Sequence, residues 1–196
     1  MPKLVSGFTL VEMMVSVSIF AIVMTIALGS LLAMSESDRK AQTLKSVINN
    51  LNFSLDSMSR SIRTGQSFHC DTAQTPLSSP RDCSSTAASS FAYLPANASV
   101  VTIYKLETAN AALCGQTTGP VGCIARSVDG GFTYLAITSP EVYVSALNFY
   151  VIGAAESPST IQPKVVILIS GIVTVTATQT STFNLQTSVT QRLYDQ

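Results

Sequence analysis

Charge is scarce in this chain: Asp, Glu, Lys and Arg together make up 11% of 196 residues, and the formal net charge is zero. A nucleic-acid binder needs a basic patch to meet phosphates, so nucleic acid is set aside as a partner. Histidine is almost missing, with His69 alone, and no two cysteines stand in a C-x-x-C pair. Zinc modules draw on close cysteine pairs or on histidine, so neither a metal nor a cofactor is expected. Catalysis usually needs a nucleophile with a base, grouped carboxylates or metal ligands. The acids Asp71, Asp82, Asp129, Glu141 and Glu156 are scattered without calcium-loop spacing. His69 adjoins Cys70, a pairing that would suit a membrane-anchored enzyme only if the thiol were free, and it is expected to be oxidised. The chain is therefore not read as an enzyme. With no tryptophan and a polar part rich in Ser and Thr, the composition suits an extracytoplasmic protein.

What the chain does have is one long apolar run. Between Phe8 and Met34 there are 27 residues, and Glu12 is the single charged one. About 20 apolar residues in a helix cross a bilayer. A carboxylate in such a segment costs about 2.5–3.5 kcal/mol on insertion scales, which makes it a functional residue in need of a partner. The leader "MPKLVSG" carries one positive charge, Lys3, which favours a cytoplasmic N-terminus. The run is followed by "MSESDRKAQ", which is no A-x-A-like cleavage site, so the apolar segment is expected to be retained.

All four cysteines lie beyond that run, at Cys70, Cys83, Cys114 and Cys123. Three connectivities are open to them. The local pairs, Cys70 with Cys83 and Cys114 with Cys123, are preferred because each closes a short loop rich in Ser, Thr, Gly or Pro, against the alternative of four buried thiols. Each bridge would stabilise the fold by about 2–4 kcal/mol.

From Met34 to Thr64 no proline interrupts the chain, and Ala41, Leu44, Ile48, Leu51, Leu55, Met58 and Ile62 fall on one helical stripe. This predicts a single helix from Phe8 to Thr64, roughly 85 Å long, capped by a left-handed Gly65 and weakest at Gly29 and Ser30. Residues 66 to 99 read as a long loop. Strands follow at 100–106, 132–138 and 142–152, then through "KVVILISGIVTVTATQ", with Gly171 marking a bulge, and "STFNLQTSVTQRL". In the former, Val165, Ile167, Ile169, Val173, Val175 and Ala177 share a face, with Val166 and Leu168 on the other. The fold class expected is α+β, one long helix against a mostly antiparallel sheet.

A short basic leader ending in Gly7, then "FTLVE", then an uninterrupted apolar helix resembles the N-terminus of type IV prepilins and type II secretion pseudopilins. Beyond residue 35, "LNFSLDSMSRSIRTG", "VSALNFYVI" and "FNLQTSVTQR" look like J-type minor pseudopilins and PilW-like minor pilins. The resemblance implies a pilin-like fold and cleavage by prepilin peptidase between Gly7 and Phe8, followed by N-methylation of Phe8. It implies too that Glu12 pairs with the N-terminal amine of a neighbouring pilin or pseudopilin subunit. Residues 1–7 would then be a cleaved leader, 8–34 the transmembrane and filament-core helix, 35–65 its amphipathic continuation, and 66–196 an extracytoplasmic β-rich domain. The protein would sit in the bacterial inner membrane with a single pass and then enter a filament. Many major pilins carry a proline midway along the apolar helix, where this chain has Gly29. Two other readings stand beside this one: an uncleaved signal anchor with Glu12 near the headgroups, and a binding module displaying the loops 66–99 and 107–131.

Overall fold

The computed structural model describes residues 7–74, 76–77, 79–96, 98–155, 161–176 and 179–192. Lys3 and Glu156 lie outside the described residues, as does Ala177, and no side chain is described at Val175. By its contacts the chain divides into two units, Met1–Thr43 and Leu44–Gln196. One helix, α1 (Leu10–Arg63), contributes to both.

In the first unit α1 buries nothing: its apolar side chains from Leu10 to Met34 are all exposed. Gly29 is helical there with open space where a Cβ would stand. In the second unit α1 buries Val47, Leu51, Ser54, Met58 and Ile62. The expected stripe is thus rotated. Leu51, Met58 and Ile62 are shared, but Ile48 is 41% exposed and Ala41 is exposed, while Val47 and Ser54 take the inner positions. Ser54 is tolerated inside because its hydroxyl has backbone acceptors, Ile137 O at 2.6 Å and Asn50 O at 2.9 Å.

The helix ends at Arg63 without the expected left-handed glycine. Thr64 bonds back to the last turn, and the Arg192 N–H caps Arg63 O at 2.8 Å. Gly65 instead opens β1 (Gly65–Cys70). Glycine is required there by contact, because a Cβ would lie 2.2 Å from Cδ2 of Tyr93.

Strands β1, β2 (Ser90–Pro95), β3 (Thr102–Glu107), β4 (Cys123–Ser127) and β5 (Leu135–Ala136) form one antiparallel sheet in chain order. β6 (Val142–Ile152), β7 (Lys164–Thr176) and β8 (Gln179–Thr190) form a second. A one-turn helix, α2 (Ala111–Cys114), precedes β4. Two sheets therefore stand where one was expected, and the expected loop 66–99 contains β1 and β2. β1, "GQSFHC", carries little intrinsic strand preference; pairing with β2, with an irregularity between Gln66 and His69, makes it a strand. The run expected as a strand at 132–138 pairs only at Leu135 and Ala136, because Asp129 accepts the Phe132 and Thr133 N–H groups that a ladder would need.

The second sheet follows the sequence closely. β7 is central, β6 and β8 flank it, and β8 turns Phe183, Leu185, Thr187 and Val189 inward. The bulge lies on β6, between Val144 and Ala146, opposite Gly171 and Ser170. It shifts the inward positions of β6 from Val142 and Val144 to Leu147, Phe149 and Val151. Gly171 permits the close approach, since a Cβ would lie 2.2 Å from Tyr143 O. Both sheets and α1 share one core, in which Phe91 of β2 stacks on Phe149 of β6 at 5.4 Å. Phe68 and Tyr93 flank Phe91.

Candidate functional site

The N-terminal site is built on a helix start. Gly7, Phe8 and Thr9 precede α1, and Phe8 is 74% exposed. Thr9 is the N-cap: its Oγ1 accepts the Glu12 N–H at 3.3 Å, and its carbonyl accepts the Met13 N–H at 3.2 Å. A helix leaves its first four N–H groups without intrahelical acceptors, and a threonine hydroxyl at this position satisfies one of them. The sequence reading missed Thr9, although T-x-x-E before an apolar run is the capping-box pattern.

Glu12 lies in the first turn, where the helix dipole favours negative charge. Three hydroxyls deeper in the run are satisfied within the helix: Ser16 bonds to Glu12 O at 2.7 Å, Ser18 to Met14 O at 2.8 Å and Thr25 to Ala21 O at 2.5 Å. The Glu12 carboxylate has no hydrogen-bond or ion-pair partner among the described residues. Around it Leu10, Val11, Met13, Val15 and their successors are exposed, and an 18-residue window of α1 reaches a mean hydropathy of 2.4. This is a helix long and apolar enough to cross a membrane, with an acid near its start.

Residues 2–28 match the family model of the prokaryotic N-terminal methylation motif. This is the signature of type IV prepilin-like proteins. A motif of this type implies processing by prepilin peptidase and pilin assembly. The match ends at residue 28, before the globular unit. Comparison with curated proteins and with solved structures gives no match. Gly7, Phe8 and Glu12 lie within one short stretch at the head of the apolar helix, while residues 1–6 lie outside the described residues.

The cysteines sit elsewhere in the fold, paired as Cys70–Cys83 and Cys114–Cys123. The first bridge ties the end of β1 to Cys83, and the Cys83 N–H donates to Val151 O of β6 in the second sheet at 2.9 Å. Next to it the Asp82 carboxylate accepts the Ala154 N–H at 2.7 Å and the Gly153 N–H at 3.2 Å. Oxidation of Cys70 removes the thiolate that a Cys-His nucleophile would need. His69 is buried, with Nδ1 bonded to Ser79 O at 2.6 Å. Asp71, Asp82 and Asp129 are each engaged locally, with Arg81, with backbone amides and with Ser127 and Thr133 respectively.

Proposed function

We propose that this prepilin-like protein is a minor pilin or pseudopilin, a structural subunit that helps prime or cap a type IV pilus or a type II secretion pseudopilus. Prepilin peptidase cuts between Gly7 and Phe8, the new Phe8 amine is methylated, and Glu12 pairs with the N-terminal amine of a neighbouring subunit. The observation that carries the reading is Glu12. It is a carboxylate without a partner among the described residues, on an exposed apolar helix inside a matched methylation motif. Opposite charges in a low-dielectric helix bundle attract strongly, and each alone is heavily penalised. The membrane step places the globular unit outside the cytoplasm, which suits two disulfides.

Mass spectrometry of the mature N-terminus, from hosts with and without prepilin peptidase, tests this. Cleavage after Gly7 and methylated Phe8 are expected only where the peptidase is present. A mature chain that retains residues 1–7, or that begins after Met34, contradicts it. A second reading, a binding module displayed at a filament tip, is favoured by the disulfide-closed loop at 114–123, and it is compatible with the first.

A further inference from the structure

Beside the Cys114–Cys123 bridge lies a cavity of about 390 Å³, inside the about 300–1,000 Å³ range of small-molecule sites. Its floor is the outward face of the β6-β7-β8 sheet. Val142, Val144 and Val173 point into the core, so their neighbours Tyr143, Ile172 and Thr174 point the other way. Tyr143 faces Ile172 across the ladder, and Thr174 faces Thr180. One wall is the loop 115–120, and another is Pro140 with Glu141.

The loop wall is fixed before anything binds. The disulfide closes it, and Gly115 turns it with φ 66°. The buried Gln116 amide then locks it, donating to Val142 O at 2.7 Å and to Gly122 O at 3.2 Å and accepting the Gly122 N–H at 2.8 Å. Gly122 lies against the Tyr143 ring, since a Cβ there would come within 2.8 Å of Cε2. The loop and the ring are thus a single preorganised unit, which lowers the ordering cost of binding.

The lining has two characters. Tyr143, Ile172 and the prolines 120 and 140 offer apolar surface. The hydroxyls of Thr117, Thr118, Thr174 and Thr180 each donate and accept, and Glu141 accepts. Among the described lining residues there is no lysine or arginine, so an anion would meet Glu141 with no compensating charge. A wholly apolar ligand would strip water from hydroxyls and return no hydrogen bond. A molecule with C–H faces and a hydroxyl edge satisfies both characters. We propose that the cavity between the 115–120 loop and the outer face of β6-β7-β8 binds a neutral saccharide, with a C–H face on Tyr143 and hydroxyls bonded to Glu141 and the threonines. This site is separate from the N-terminal motif and does not depend on processing there.

The test is saturation-transfer NMR on the full-length protein in a detergent without a sugar headgroup. The neutral probes are glucose, galactose, N-acetylglucosamine and the tetrasaccharides of each. N-acetylneuraminic acid and glucose 6-phosphate serve as anionic controls. At least one neutral probe should bind saturably and more tightly than either anion, with affinity reduced at least tenfold by Glu141→Ala or by Thr174→Val. Both positions are exposed, so the thermal midpoint should hold in each variant. No binding by any neutral probe, equal or tighter binding of an anion, or affinity unchanged in both variants overturns the proposal.

Discussion

Thr9 Oγ1 accepts the backbone N–H of Glu12 at 3.3 Å, so the cap on α1 uses the main chain of Glu12 and leaves its carboxylate free. Charge and helix start can therefore be separated by mutation. Glu12→Ala should keep the cap, insert normally and be cut after Gly7, yet be poorly incorporated into filaments. Fractionation, N-terminal mass spectrometry and immunoblotting of sheared filaments read the three steps. Normal incorporation of the variant would count against the pairing role.

Thr9→Ala removes the acceptor instead. Loss of an N-cap costs about 1 kcal/mol of local helix stability, felt in the first turn only. Hydrogen exchange at the Glu12 and Met13 amides should quicken several-fold while the globular unit melts unchanged. An unaltered exchange rate at Glu12 would show that the cap is not formed.

Gly65→Ala forces a Cβ into the Tyr93 ring. Tyr93 is fully buried, stacked on Phe91 and bonded through its hydroxyl to Ser61, so it has little room to yield. Overpacking of this kind typically costs about 1–3 kcal/mol. Denaturant unfolding should report that loss, whereas stability equal to the parent would mean that β1 starts elsewhere.

A free-thiol count on the purified native protein should find no reactive cysteine, and four would end the disulfide assignment. Cys83→Ser should cost about 2–4 kcal/mol on the chain-entropy estimate. It should also expose a single thiol, at Cys70. Heating curves with and without reductant provide the comparison.

Asp129 anchors the turn between β4 and β5. Hydrogen bonds from Ser127 and then from Thr133 hold its carboxyl well below the usual carboxylate range. A carboxyl depressed in the folded state stabilises the protein above its unfolded value of about 3.9, and the contribution is lost as pH falls through the lower folded value. Asp129→Asn should therefore lower the melting temperature at neutral pH, and the gap between variant and parent should shrink below about pH 4. A gap that stays constant down to acid pH would contradict the hydrogen-bonded turn.

Legibility followed how local each determinant is. The α1 helix, β6, β7 and β8 stood out because their apolar periodicity runs for many residues and agrees with burial. The acid at the head of the apolar helix was equally plain, since it is one charge in a long uncharged run. β1 and β2 did not stand out. A segment such as "GQSFHC" becomes a strand through partners 21 to 30 residues away, and no local pattern records that. Part of the stripe on α1 was misplaced, with Ser54 inside, because a serine looks polar until Ile137 supplies an acceptor from another element. Gly65 looked like a cap because its reason, the Tyr93 ring, lies in β2. The cavity beside Gln116 was hidden for the same reason: its lining comes from three strands and two loops.

The Arg192 N–H bonded to Arg63 O joins the end of α1 to the residues after β8. Synthesis runs from the N-terminus, so the helix is made first and its clasp last. Until β8 is complete, the flank of α1 at Asn52, Leu55 and Ser59 lacks the strand residues Leu185 and Thr187 that line the same groove. A nascent chain stalled before β8 would lack both that clasp and the strand that covers this flank of the helix.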